Sequence, residues 1–285
     1  MRREARVLRS PVMLRLRGSI LLLSLTALAA PALAAVRLDP LQNDYAQYLV
    51  YSGTRLLGTE KISLEPAGDS VSVFSNVDEI IPTADGDQKL AKKVQMEVKA
   101  LDYDLLGYSS EQHFLNKKLL RGVVMVDTVF STYRELEGHG SGDSFVRPPG
   151  RMFVVDSQAF VLFDVMLRSL HGKPTDPRTL PVLILGEPRD TVLQITLSPE
   201  PKDEPLAWGK GSISTRRYTI TDGSNEFLAW IDAKGRMVKL EQPASGLRVI
   251  RDPKPLPEVR PAGKSSSTKS PAAKPSSAAK PPTSH

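Results

Sequence analysis

Lys93-Val94-Gln95-Met96-Glu97-Val98-Lys99 decides the fold class. In an extended chain its apolar residues Val94, Met96 and Val98 fall on one face, and its four polar residues fall on the other. Such a strand belongs to an antiparallel sheet with one buried and one wet face. The same period of two runs upstream through Asp44–Ser52, Leu56–Glu65 and Ser70–Glu79. The spacers Gly53-Thr54-Arg55 and Pro66-Ala67-Gly68-Asp69 are short enough for hairpins. Downstream, Tyr103–Phe114 and Lys118–Tyr133 continue the meander. Gly122–Phe130 is apolar on both faces apart from Asp127 and Thr128, which predicts a strand covered on both sides. Leu180–Leu185, Thr191–Leu197, Gly211–Thr221, Glu226–Asp232 and Arg236–Gln242 also read as strands. The last two, joined through Ala233-Lys234-Gly235, offer Leu228, Trp230, Val238 and Leu240 as same-face partners.

One segment departs from this period. Asp156 or Ser157 can cap a helix running to about His171, with Gly172 as its stop and Pro174 beyond. Phe160, Phe163, Met166, Leu167 and Leu170 recur at helical spacing, and Ala159, Val161, Leu162 and Val165 fill much of the remaining circumference. A helix apolar nearly all round is a buried helix. Asp164 and Arg168, four apart, can pair. The expected architecture is mainly β, a single curved antiparallel sheet (a half-barrel of roughly eleven strands) wrapped around one hydrophobic helix. The Gly138–Arg151 loop has strands on both sides, so 36–252 reads as one domain.

The two ends are of different character. Arg2, Arg3, Arg6, Arg9, Arg15 and Arg17 precede an apolar stretch from Ile20 to Leu28 and the small residues of Pro31-Ala32-Leu33-Ala34-Ala35. This pattern predicts an export signal over 1–35, cleaved after Ala34 or Ala35. In a bacterium it places the protein in the periplasm, with no transmembrane span after cleavage. Residues 253–285 contain 8 Pro, 7 Ser, 5 Ala and 5 Lys, with Leu256 and Val259 the only bulky aliphatic side chains. Such a tail cannot bury enough surface to offset the entropy of ordering and is expected to be disordered.

The chain of 285 residues carries a net charge of +6. Its excess of positive charge resides in those ends, each at +5, whereas the 217 residues between them hold 26 basic and 30 acidic groups. A basic nucleic-acid face on the folded part is therefore not expected. With no cysteine, disulfides, thiolate metal sites and a cysteine nucleophile are excluded.

No residue set announces a reaction. His113, His139, His171 and His285 form no zinc-binding spacing. Gly138-His139-Gly140-Ser141-Gly142 places glycine where a nucleophile elbow needs serine, so a flexible hairpin loop explains it better. Asp85-Gly86-Asp87 lacks the further ligands of a calcium loop. Glu97 or Lys99 with Glu111 reads as a solvated sheet face rather than an acid–base pair. Arg216-Arg217 puts one guanidinium on each face, and the inward one needs an acidic partner or a ligand. No catalytic residue, cofactor or metal is expected.

The opening hairpin Tyr48–Glu65, the helix Ser157–Leu170 and Phe227–Leu240 with its Asp232–Gly235 turn follow one another in an order that resembles the LolA/LolB-like lipoprotein-carrier superfamily of periplasmic half-barrels, most closely its uncharacterised domain-of-unknown-function members. The resemblance covers most of 36–252 in layout. It implies a curved sheet whose concave face, partly closed by helix, holds acyl chains. The expected role is therefore a non-enzymatic envelope protein binding a lipid or acylated molecule. Met96, Met125, Phe160, Phe163, Leu193, Ile195 and Trp230 are the candidate ligand-binding residues. The alternatives are a structural or interaction protein, holding an envelope partner or anionic polymer through its surface and basic tail, and a hydrolase with an unrecognised site at Asp127 or Glu97.

Overall fold

The computed structural model describes residues 42–170, 174–187, 189–254 and 256. The expected export signal, His171 and nearly all of the expected tail lie outside these. The first meander runs β1 (Asp44–Ser52), β2 (Arg55–Ala67), β3 (Ser70–Thr83), β4 (Gly86–Lys99), β5 (Leu105–Phe114), β6 (Lys117–Val126), β7 (Val129–Leu136) and the short β8 (His139–Ser141) and β9 (Ser144–Val146). Next come β10 (Phe153–Asp156) and α1 (Val161–Arg168). The second meander is β11 (Arg178–Leu185), β12 (Thr191–Trp208), β13 (Gly211–Thr221), β14 (Glu226–Ile231), β15 (Met237–Gln242) and β16 (Leu247–Arg251). All sixteen strands join one open, curved sheet. The two meanders meet where β16 pairs antiparallel with β1, Tyr48 opposite Arg251. Only β10 and β11 run parallel, and Met152, the residue before β10, accepts the Leu105 N–H of β5 at 3.1 Å.

The deciding stretch behaves as expected, its burial alternating residue by residue from Lys93 to Lys99. The strand count does not: sixteen replace roughly eleven. Lys118–Tyr133 is two strands, because Asp127 takes a positive φ of 53° and turns the chain. The strands β8, β9 and β10, of three, three and four residues, are too short to show a period. β12 continues through Pro199, Pro201 and Pro205 to Trp208. Beyond Leu197 it pairs with β13 alone, so the missing proline N–H groups leave no ladder bond unmade on the open side.

Two face assignments are also corrected. Gly122–Phe130 is covered on one side only, with Val124 60% and Val126 58% exposed on the other. Leu228, Trp230, Val238 and Leu240 do not share a face. The register opposes Trp230 to Lys239 and Ala229 to Leu240, and Val238 sits at the shift between Lys239 and Met237, which faces Ile231.

α1 is shorter than the apolar pattern suggests. It begins at Val161 with Phe160 at the N-cap, and not at Asp156 or Ser157. Asp156 is instead the last residue of β10, held opposite Leu185. Every residue from Val161 to Leu167 is buried, so the helix is the plug against which the sheet folds its apolar face. The predicted Asp164–Arg168 pair forms at 2.9 Å.

Candidate functional site

The core face of the first meander changes character along its strands. The rows Leu64–Val73–Met96–Tyr108–Val123 and Val71–Val98–Leu105 are mainly apolar. One step on, the row Ile62–Ser75–Val94–Ser110–Arg121–Arg134 is mixed, and the next, Tyr48–Glu60–Val77–Lys92–Gln112, carries an acidic and a basic side chain, Glu60 and Lys92. Beyond it stands Glu79, opposite Gly58. A Cβ at Gly58 would lie 2.1 Å from the Asp78 carbonyl oxygen, so only glycine lets β2 lie so close to β3 there.

The ionic end of this face is buried and linked to both β10 and α1. Lys92 Nζ contacts Asp156 Oδ2 at 2.6 Å and donates to the Ser157 carbonyl at 2.7 Å. Tyr108 and Ser110 hydroxyls donate to the same Asp156 oxygen at 2.6 and 3.2 Å. Glu60 accepts from the Ser75 hydroxyl at 2.6 Å and from the backbone N–H groups of Phe160 and Val161 at 2.9 and 3.2 Å. A carboxylate from β2 thus caps the first turn of α1, the task expected of a local Asp or Ser. Burial pushes the Glu60 carboxyl up to about 7, against its hydrogen bonds and the Lys92 charge. Glu79 rises to about 7 as well, through burial and then the neighbouring Glu60 charge. Burial also draws the Lys92 ammonium below its ordinary range, with Asp156 opposing.

The far end of α1 is held by a second buried cluster. Asp44 pairs with both Arg168 and Arg251, and Asp164 Oδ1 accepts the Met237 N–H at 2.7 Å. Burial acts to raise the Asp44 carboxyl, but the two guanidinium groups hold it below the usual range.

The sequence-predicted residues separate into three groups. Met96, Phe160, Phe163 and Ile195 enter one core, and Met125 rests half-buried against it. Phe163 also meets Phe227 with ring centroids 5.1 Å apart. Leu193 is half-buried outside this cluster. Trp230 is on the opposite face, beneath Lys239 at 4.2 Å, with its indole N–H on Glu204. The seam of Met96, Val98, Leu105, Met152, Leu162 and Val165 has no room for a water molecule. Met96 therefore packs against the helix in this conformation.

The other candidates are also placed. Arg216 meets Asp203 at 2.5 Å and Arg217 meets Glu200 at 3.1 Å, so each arginine has an acidic partner, while Arg216 Nη1 and Arg217 Nε stay buried without a hydrogen bond. Glu97 is exposed, Asp127 forms the β6–β7 turn, and His139 lies exposed on β8 after the Glu137–Gly138 turn. Glu111 bonds its surface neighbours His113 and Lys118. Asp85-Gly86-Asp87 turns β3 into β4, with Asp87 on Arg55. Among the described residues no group of three or more His, Asp or Glu is placed to hold a metal ion. No helix of the described residues is long and apolar enough to cross a membrane.

The ionic end was not named from the sequence, because Glu60, Glu79 and Lys92 look like ordinary strand polar residues. Their one signal is position: each falls on the parity that its strand fills mainly with apolar side chains.

No family model and no curated protein matches the chain. Among solved structures, a DUF1089 family protein from Pseudomonas aeruginosa is similar over 65% of this chain and 90% of that one, at 10% identity and a TM-score of 0.41. A likeness at that level carries no argument about fold or function.

Proposed function

We propose that this is an exported, non-enzymatic envelope protein that binds an amphipathic molecule, a lipid or an acylated compound, against the core face of its sheet. The supporting observation is the division of that face, with apolar rows through Met96 and Val98 at one end and the buried charges of Glu60, Lys92 and Arg121 at the other. A molecule with an acyl chain and a polar head matches that division along its length. The place of the chain is that of α1, which has to give way. Its eight residues are too few to be stable as an isolated helix, so its helicity depends on being docked. The LolA/LolB-like layout favours the same reading.

Native mass spectrometry of the gently purified protein tests it, followed by melting of the delipidated protein with and without added monoacyl lipid. A co-purifying lipid mass is expected, and added lipid should raise the melting temperature through preferential binding to the folded state. A bare mass together with an unchanged melt would refute the reading.

A further inference from the structure

Glu79 closes the ionic end of the core face with nothing to offset its charge. The residue is 3% exposed, and its Oε1 is buried without a hydrogen-bond partner among the described residues. Directly opposite it stand Gly58 on β2 and Leu90 on β4, neither with a polar side chain. The charged groups that act on it are Glu60 and Lys92. The Lys92 ammonium is engaged by Asp156 of β10 at 2.6 Å, and Tyr108 and Ser110 of β5 donate to the same carboxylate oxygen. From β1, Tyr48 stands opposite Glu60 but donates its hydroxyl to the Met237 carbonyl at 3.4 Å. From β6, Arg121 faces Asp190 at 3.6 Å. The charged side chains of α1, Asp164 and Arg168, belong to the Asp44 cluster at the far end of the helix. Glu60, Glu79 and Asp156 thus share one ammonium, and Asp156 holds it.

A buried carboxylate with neither donor nor counter-charge is costly, and a proton removes that cost. Glu60 differs, because the Ser75 hydroxyl and the Phe160 and Val161 N–H groups all donate to it, which suits the charged form. The two carboxyl groups therefore divide the work, Glu60 as the cap of α1 and Glu79 as the holder of the proton. The upward displacement of Glu79 by burial, and then by the Glu60 charge, agrees with this division.

We infer that Glu79 is a proton latch on α1: protonated, it lets the Glu60 carboxylate stay dry beneath the helix, and on ionising it sets a second negative charge beside that cap, which is relieved when α1 lifts and water enters. The strands β2 and β3 cannot part to relieve it, because a continuous ladder joins them from Gly58–Glu79 to Ala67–Ser70. α1 can move, since its eight residues are too few to stay helical by themselves and its first turn is tied to the sheet through Glu60. The closed, docked state is the one with the raised carboxyl. Docking is therefore firmest below the ordinary value of 4.5, weakens as pH rises toward about 7 and changes no further above it. The latch stands whatever the core face binds; under the amphipathic-ligand reading, acid is the condition that closes the face.

Hydrogen exchange of the full chain tests it, read by mass spectrometry from pH 5 to pH 8 and corrected for the intrinsic rate. The readout is the peptide spanning 158–170, with peptides from β2–β4 as the reference. The expected result is an α1 protection factor that falls at least roughly tenfold per pH unit up to about pH 7 and then levels off, while β2–β4 keep their protection. Glu79→Gln, uncharged at every pH and of the same shape, should take about tenfold per unit off that slope. Protection of α1 that stays flat from pH 5 to pH 7, or that falls only in step with β2–β4, overturns the latch. A Glu79→Gln profile identical to that of the wild type overturns the assignment to Glu79. So does a Glu79→Gln chain that does not fold, because an uncharged side chain of that shape is what the closed state holds.

Discussion

Glu60 and Glu79 lie on neighbouring rows of one sheet face, and both are buried with carboxyl groups raised from 4.5 to about 7. Between those values the folded protein holds protons that the unfolded chain has released. Stability from this pair is therefore fully present below pH 4.5 and is lost as pH rises toward about 7, then levels off. The loss is on the order of 3 kcal/mol for each carboxyl. Urea melts from pH 5 to pH 8 should show the midpoint falling, and Glu79→Gln, which keeps the shape and cannot ionise, should flatten part of that fall. A wild-type midpoint that rises over this range would contradict the assignment. Asp44 behaves in the opposite sense, because its two arginines lower its carboxyl. Its contribution is present above the unfolded value and is lost as acid protonates the native carboxylate, below the Glu60–Glu79 window.

At the scale of elements, α1 shows what the local pattern conveys and what it omits. The apolar circumference of Phe160–Leu170 announces a buried helix, and the Asp164–Arg168 spacing announces their pair. Neither indicates that the helix is capped by Glu60, a hundred residues upstream of Phe160, or that Asp164 also bonds the Met237 N–H. Asp164→Asn leaves Arg168 and Arg251 buried with Asp44 as their remaining close acid. It should cost about 3 kcal/mol or more, measurable as a lower denaturation midpoint with an unchanged slope. A midpoint equal to that of the wild type would mean that the ion cluster does not hold the helix. The strands follow the same division. Long alternating runs such as β4 are legible, whereas β8, β9 and β10 exist because a neighbouring strand offers them a ladder.

At the scale of the whole molecule, β16 is the only strand that joins the two meanders in the sheet order, bonded to β15 on one side and β1 on the other. Truncation after Gly246 removes it and takes Arg251 from the Asp44 cluster. The expected consequence is loss of the single cooperative urea transition, with rapid cleavage by dilute protease. A truncated chain that unfolds in one transition near the wild-type midpoint would show that the meanders associate without this strand. The five residues of β16 carried no sequence signal strong enough to be read as a strand, although the sheet depends on them for its continuity.

The sequence by itself determined the class of the fold, the antiparallel meander, the buried helix and the parity of strands such as Lys93–Lys99, because alternation and helical spacing are properties of neighbours along the chain. It also determined that the folded part is mildly acidic and that cysteine chemistry is excluded. Only the tertiary structure decided the sixteen-strand order, the placement of Trp230 on the face away from α1, and the meeting of Glu60, Glu79, Lys92, Asp156 and Arg121. Those groups are separated by up to about a hundred residues, and burial gives them their chemistry. Both distance and burial depend on which strands pair and which face the helix covers, and no local pattern encodes either.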